Sequence, residues 1–398
     1  MKRVTILGST GSIGTSTLSI IKKNSTLFKV VALVANKNIS VMLKQCEIFT
    51  PDWVAMKNEK SANILRKKLK EKNIQTQVLS GDKEICALAA LEQIEYVVSA
   101  IVGIAGLLPT LSAIYAGKII LLANKESLIT CGNLFMKAVI SHKAQIIPID
   151  SEHNAIFQVL PKYFQKNLGK ISLKKANVKS IILTASGGPL FNFKKRDLPF
   201  VKPSQIYSHP NWSMGKKILV DSATMINKGF EYAEARLLFN ASDSEINIII
   251  HPQSIIHSMV EYIDGSVLAQ LSLPDMRVAI SYAFSFPDRI PSGSSFLDFK
   301  KINNLSFFTP DFIKFPCLKL AIDAFIYGKS AMIVLNAANE VTVSAFLNSR
   351  ISFNKIFEIN NDILMSSNLL EPLSIEEVID IDQKTRINTK KRILSLSS

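Results

Sequence analysis

Two carboxylates, a hydroxyl, an imidazole and an amide stand in a row at Asp150, Ser151, Glu152, His153 and Asn154, directly after the apolar run Ile146-Ile147-Pro148-Ile149. A turn built from Gly or Pro would redirect the chain without desolvating charge. Ser151 can cap a helix, and an acid in the first turn suits the helix dipole, so a helix start is one reading. A metal or catalytic centre is the other, because Asp150 and Glu152, two apart at a strand end, can point the same way. Downstream, Asn227, Lys228 and Glu231 have spacings of three and four, which put them on one helix face. A Lys–Glu pair at that spacing is ordinarily a solvated ion pair. Taken with Asp150 and Glu152, however, Glu231 completes a set of three carboxylates with no thiolate, a hard oxygen site suited to Mg²⁺ or Mn²⁺. Lys228, Asn227, Ser222 and Ser186 then make a neutral-to-cationic phosphate pocket. Ser186 closes the apolar run KSIILTAS and precedes Gly187-Gly188-Pro189, a strand-to-glycine turn that offers a hydroxyl and backbone N–H groups to an anion.

The elements that must carry these groups are an α/β alternation. Up to Asp150, short β-branched runs (RVTILGS, KVVALVAN, DWVAM, TQVLS, YVVSAIVG, IILLANK, AQIIPID) alternate with helical patterns. Apolar strands without polar alternation predict a parallel, doubly wound sheet. The first strand enters its helix through GSTGSIG, with glycines at 8, 11 and 14. The spacing is G-x-x-G-x-x-G rather than G-x-G-x-x-G, but its place between first strand and first helix is the context a dinucleotide site requires. At the end of the second strand, where an NAD site places Asp or Glu, stand Asn36, Lys37 and Asn38. Lys37 and the neighbouring amides suit a 2′-phosphate that a carboxylate would repel, so NADP is preferred. Asn124, Lys125 and Glu126 follow another strand at its carboxyl end, where they can face nicotinamide, ribose or substrate, or simply form a polar junction.

Beyond Asp150, the polar stretch 188–217 ends in SHPNWSMGKK, and its His209 and Trp212 favour a lid over substrate. A helix is expected within 220–240, started by Ser222 or a near neighbour. Residues 286–311 are rich in Pro, Ser and Gly and read as a connecting arm, and the segments after them show helical periodicity. The expected organisation is a Rossmann-like NADP-binding domain over 1–150, a central α/β catalytic and dimerisation domain over 151–285, an arm over 286–311 and a helical C-terminal domain over 312–398.

Composition narrows the function classes. The chain has 398 residues, 47% of them hydrophobic and 20% charged, as in a soluble globular protein large enough for several domains. Its four cysteines are scattered and form no C-x-x-C pair, which fits a reducing cytoplasm and no zinc ribbon. The apolar run at the N-terminus is too short for a signal peptide, and no stretch is long enough to cross a bilayer. The net charge of +15 is spread along the sequence without interleaved aromatics, so it favours phosphorylated small molecules over nucleic acid.

Taken together and in order, GSTGSIG, LLANKESL, DSEHNAIFQ, HPNWSMG, DSATMINKGFE and HPQSIIHSMV resemble the signatures of the 1-deoxy-D-xylulose 5-phosphate reductoisomerase family across essentially the whole chain. The resemblance implies a three-domain homodimer that uses NADPH and Mg²⁺ or Mn²⁺. It would convert 1-deoxy-D-xylulose 5-phosphate to 2-C-methyl-D-erythritol 4-phosphate in the methylerythritol phosphate route to isoprenoid precursors. It assigns Thr10, Gly11, Ser12, Ile13, Lys37, Asn38, Asn124, Glu126 and Gly215 to NADPH. Asp150, Glu152 and Glu231 go to the metal, and Lys125, Ser151, Ser186, His209, Ser222, Asn227 and Lys228 to substrate, alongside Glu152 and Glu231. Lys125, Asp150, Glu152 and Glu231 form the implied catalytic set. Asn36 and Ala185 stand where the family commonly has Gly.

Other groups remain beside this set. His153 reads as support for the carboxylates, His257 as a hydrogen-bonded core histidine in a hairpin that turns at Asp264-Gly265, and Pro274, Asp275 and Arg277 as structural. Asn336–Glu340 (NAANE) reads chiefly as packing. An NADP-dependent sugar-phosphate dehydrogenase would need no tri-carboxylate site, and an NADP sensor or nucleic-acid binder would leave it unexplained.

Overall fold

Seven short, buried apolar runs of the N-terminal sequence are strands: β1 (Lys2–Leu7), β2 (Phe28–Ala35), β3 (Trp53–Met56), β4 (Gln77–Ser80), β5 (Tyr96–Ser99), β6 (Ile119–Leu122) and β7 (Gln145–Pro148). The computed structural model describes residues 1–207 and 215–396. Each intervening amphipathic segment is a helix: α1 (Ser12–Lys23), α2 (Ile39–Phe49), α3 (Glu59–Glu71), α4 (Asp82–Ala89), α5 (Leu107–Tyr115) and α6 (Lys125–Ser141), with α7 (Ser151–Val159) following β7. The sheet order is β4-β3-β2-β1-β5-β6-β7, and every pairing is parallel. Order reverses between β1 and β5, the switch point outside which open α/β sheets bind ligands. A doubly wound sheet was expected from the non-alternating strands, and all seven lie where the sequence places them.

The later chain carries α8 (Lys162–Gln165), β8 (Val178–Ala185), α9 (Lys216–Ala223), α10 (Ile226–Leu238), β9 (Ile246–Ile250), β10 (Ile256–Tyr262), β11 (Val267–Leu271) and α11 (Met276–Ser285). Four more helices follow: α12 (Pro316–Tyr327), α13 (Ala331–Leu347), α14 (Phe353–Ser366) and α15 (Ile375–Ser395). A second sheet has the order β11-β10-β8-β9, mixed in direction because β8 and β9 run parallel while β10 opposes both its neighbours. The β10–β11 hairpin turns at Asp264-Gly265 as expected; Gly265 has φ +87°, and Asp264 accepts from the Ser266 N–H.

By contacts the chain forms two compact units, neither a single run of sequence. One comprises Met1–Ser127, Phe135–Phe157 and Asp275–Phe296; the other comprises Leu128–Leu134, Gln158–Pro274 and Leu297–Ser398. From sequence α11 was expected to belong with 151–285 and 286–311 to form an arm, whereas α11 packs with α1 in the first unit. The reason is aromatic: Phe284 lies edge-on to Phe28 at 5.0 Å, and its carbonyl accepts from Lys2 Nζ. Asp275 caps α11 through the Arg277 N–H and is gripped by the Arg277 guanidinium, the structural role expected for this pair. In the second unit α13 is buried on nearly every face, which explains its all-round apolar sequence. Among the described residues no helix is long and apolar enough to cross a membrane.

Candidate active site

The glycine loop after β1 is built for close approach. Gly8 has φ +86°, and a Cβ there would meet the Ala100 carbonyl oxygen at 2.5 Å, while one on Gly14 would meet Gly8 O at 2.4 Å. Gly11 sits at the N-cap of α1 without any side-chain capping bond, and the first turn carries no acid, an N-terminus suited to an anion. Ser9 is tied down instead, exchanging two 2.8 Å hydrogen bonds with the Gln45 amide. Asn36, Lys37 and Asn38 lie exposed at the carboxyl end of β2, beside the loop, with Asn38 capping α2.

Asn124 is more constrained than its sequence suggests. Its carbonyl accepts from the Ser127 N–H to cap α6, and its amide donates to the carbonyls of Ile101 and Gly103. Gly106 must lack a Cβ because that atom would meet the Asn124 amide at 2.1 Å. The two loops that follow β5 and β6 are thus clamped into one wall. Lys125 and buried Glu126 open α6 from it.

At the opening stretch the strand ends at Pro148, so alternation along a strand does not align Asp150 and Glu152. The strand-to-helix corner does so instead. Asn154, which the sequence reading left without a role, fixes that corner: its amide donates to the Pro148 carbonyl at 2.8 Å and its N–H to the Asp150 carbonyl at 2.8 Å. Ser151 and Glu152 form the first turn of α7, with Ser151 Oγ donating to Glu152 Oε2 at 2.5 Å. One oxygen each of Asp150 and Glu152 lie within 4.8 Å of each other. Lys125 Nζ lies 2.6 Å from Asp150 Oδ2, and His153 Nδ1 lies 3.2 Å from Oδ1. Burial alone would raise the Asp150 carboxyl, but the Lys125 ammonium and His153 outweigh it and hold the acid well below the usual carboxylate range. His153 therefore supports the carboxylate, as expected.

The second unit carries its own polar group. Met225 adopts φ +60° and breaks the chain between α9 and α10. Ser222 consequently lies in the last turn of α9, and the helix expected to start at Ser222 or a near neighbour starts at Ile226; a short helix before the break gave no separate periodic signal. Asn227, Lys228 and Glu231 share one face of α10 as predicted: the Asn227 amide donates to Glu231 Oε1, and Lys228 Nζ pairs with Oε2. Both charged side chains are at least nine-tenths buried, so this is not the ordinary solvated pair. Ser186 follows β8 and accepts from the Gly188 N–H; Gly188 has φ +73°, and a Cβ on it would meet the Ser222 carbonyl oxygen at 2.4 Å. The serines 186 and 222 are thereby brought to one place. Ala185 is buried in the core where a glycine was commonly expected. His257 is a core histidine held by Ser272 Oγ at 2.9 Å, and burial, with smaller contributions from His251 and Lys228, pushes it down to about 4. His209 and Trp212 lie outside the described residues, while Gly215 is the N-cap of α9.

Models of three families match this chain: 1-deoxy-D-xylulose 5-phosphate reductoisomerase over residues 4–132, its C-terminal domain over 146–239, and the DXP reductoisomerase C-terminal domain over 271–388. A reductoisomerase of Buchnera aphidicola subsp. Schizaphis graminum is 73% identical over 396 residues, covering 100% of both chains. The chain belongs to the 1-deoxy-D-xylulose 5-phosphate reductoisomerase family. It is an oxidoreductase of that family. The reductoisomerase of Photorhabdus laumondii is 56% identical over 99% of each chain. Among solved structures, a DOX-P reductoisomerase in complex with NADPH, fosmidomycin and magnesium is 41% identical with a TM-score of 0.95, covering both chains completely. The Zymomonas mobilis enzyme in complex with NADPH is 38% identical with a TM-score of 0.89 over 98% of each chain.

Proposed function

We propose that Asp150, Glu152 and Glu231 together hold one divalent cation, Mg²⁺ or Mn²⁺, and that the serine–lysine groups beside them bind the phosphorylated substrate. The reaction is the conversion of 1-deoxy-D-xylulose 5-phosphate to 2-C-methyl-D-erythritol 4-phosphate, with NADPH consumed, a step toward isoprenoid precursors. A carbon–carbon bond is broken and re-formed with no net oxidation, and the resulting aldehyde takes up a hydride and a proton to become an alcohol. The observation that carries the reading is the largely buried Asp150 carboxylate, held by Lys125 Nζ at 2.6 Å and His153 Nδ1 at 3.2 Å, in a donor set of carboxylates without a thiolate. When bound, the cation supplies Lewis-acid polarisation of the substrate's carbonyl and hydroxyl oxygens.

The protein's part is to prepare the pockets. Lys125 and His153 keep Asp150 in its anionic form and oriented. Ser151, Lys125, Glu152 and Glu231 line the substrate's reacting end, and Ser186, Ser222, Asn227 and Lys228 its phosphate, with His209 also on the substrate; Lys228 supplies positive charge from a buried position. The N-terminus of α1, through Thr10, Gly11, Ser12 and Ile13, takes the dinucleotide's phosphates. Lys37 and Asn38 take the 2′-phosphate. Asn124, Glu126 and Gly215 border the nicotinamide end, where NADPH supplies the hydride.

The functional parts are then a cofactor domain over 1–150 with which α11 packs, a catalytic and dimerising domain over the rest of 151–285 with its lid at 188–217, an arm over 286–311 and a helical domain over 312–398. A homodimer is supported by β11, an edge strand that exposes Val267 and Leu268. Four cysteines, all free, support a cytoplasmic location. Loss of NADPH absorbance on adding 1-deoxy-D-xylulose 5-phosphate is the test. Oxidation that needs both substrate and Mg²⁺ or Mn²⁺, and stops with chelator, is expected. Oxidation that survives complete chelation would contradict the metal assignment.

A further inference from the structure

Asp221 immediately precedes Ser222, yet it points away from the serine and into the helical part of the second unit. Its carboxylate is 1% exposed and accepts from the Asn339 amide at 2.8 Å. Asn339 in turn accepts from the Asn360 amide at 3.1 Å, and Asn360 accepts from the Thr342 hydroxyl at 3.0 Å. All three of these partners are fully buried. On its other oxygen Asp221 pairs with Lys217 Nζ at 2.9 Å, one turn earlier in α9. A buried carboxylate is retained only when paired and hydrogen-bonded, so this chain of amides is the reason Asp221 can sit there.

The helix being held is short. Eight residues do not form a stable helix on their own account, and α9 has no side-chain cap at its start and a left-handed residue just past its end. Leu219, Val220 and Ala223 bury its apolar side among Leu190, Val343, Phe346 and Phe353. Apolar burial is non-directional and leaves rotation about the helix axis loosely fixed, whereas a hydrogen bond to a charged group is directional. The Asn339–Asp221 bond therefore sets where the next residue, Ser222, presents its hydroxyl. The tolerance is small, because the space between Ser222 and Gly188 is already too tight for a Cβ.

We infer that Asn339, braced by Asn360, is a positioning residue that acts through Asp221 to set Ser222 against the Ser186–Gly188 turn and so fixes the affinity for the substrate's phosphate. This rests on the reading of Ser186 and Ser222 as phosphate-binding groups. Steady-state kinetics with inorganic phosphate as a competing probe test it. Asn339→Ala is expected to raise both the KM and the phosphate inhibition constant about tenfold with kcat within about twofold. Asn360→Ala, one bond further out, is expected to move both about threefold and leaves both bonds to the buried charge in place. The exchange Asp221→Asn with Asn339→Asp keeps a hydrogen bond of reversed polarity and is expected to recover most of the loss. Phe353→Leu, in the same core, is expected to lower the melting temperature and leave both constants unmoved. A folded Asn339→Ala or Asn360→Ala enzyme with unchanged constants would overturn the inference, as would an equal shift in Phe353→Leu. If phosphate did not compete with substrate even in the unaltered enzyme, the pocket assignment and the inference would fall together. Competition there with unmoved variants sinks the inference alone.

Discussion

Lys228–Glu231 on α10 and Arg386–Asp382 on α15 are the same thing in sequence, a base and an acid one helical turn apart, and the structure puts them to different uses. Arg386 spreads its fork over both oxygens of Asp382, with Nε at 2.6 Å and Nη2 at 3.0 Å, and also reaches Glu340 on α13 at 2.6 Å. That arrangement uses the guanidinium's fixed geometry to bolt two helices together. At Glu231 the partners are instead an ammonium and an amide, one to each oxygen, and at Asp150 an ammonium and an imidazole, again one to each. A lysine is a point charge on a flexible stem and can give ground to another cation, whereas a bidentate arginine holds its carboxylates in place. At Asp150 and Glu231 the lysine pairing suits carboxylates proposed to take a cation, whereas the arginine pairing at Asp382 and Glu340 suits carboxylates that hold the fold.

The sharpest way to break this contrast is Glu231→Gln. Removing one negative charge from the proposed metal set is expected to lower kcat by about a thousandfold, with NADPH affinity within about twofold, read by steady-state kinetics and cofactor fluorescence titration. Arg386→Ala should do the reverse: a stability loss of about 2–3 kcal/mol by denaturant unfolding, with kcat per folded molecule unchanged. A fall in kcat for the arginine variant would erase the distinction.

Burial near Lys228 has a further signature. His257 is pushed by burial, and to a smaller degree by His251 and Lys228, from its ordinary 6.5 down to about 4. The unfolded chain therefore binds a proton that the folded chain refuses between those values, so stability falls as pH drops through that window and is level above it. Unfolding free energies should decline by about 2 kcal/mol between pH 6.5 and 5, and His257→Gln should flatten that segment of the curve. The smallest effect concerns the exposed turn after β2: Lys37→Glu is expected to lower the preference for NADPH over NADH about tenfold, measured as a ratio of kcat/KM values.

Much of this was readable from residues alone because the signals were local. Parallel strands buried on both faces give unbroken apolar runs, and a glycine loop declares itself by position. The spacing of Asn227, Lys228 and Glu231 needed only the helical period. What escaped was set by contacts distant in sequence. Nothing in residues 276–285 says that Phe284 will pack on Phe28, so α11 could not be assigned to the first unit. The pairing of Asp150 with Glu152 was anticipated, but for the wrong reason, since the turn fixed by Asn154 takes the place of strand alternation. A helix was expected to start at Ser222 or a near neighbour; Ser222 closes one and the next starts at Ile226, because the break is a left-handed Met225 that no breaker residue announces. Asp221 and Asn339, 118 positions apart, were invisible as a pair.

The central claim is that the lysine-held carboxylates are metal ligands, and titration with Mn²⁺ followed by electron paramagnetic resonance tests it most directly. One Mn²⁺ per chain in the unaltered protein and in Arg386→Ala, with binding lost or weakened at least about a hundredfold in Glu231→Gln, is the predicted result. Unaltered Mn²⁺ binding by folded Glu231→Gln would contradict it.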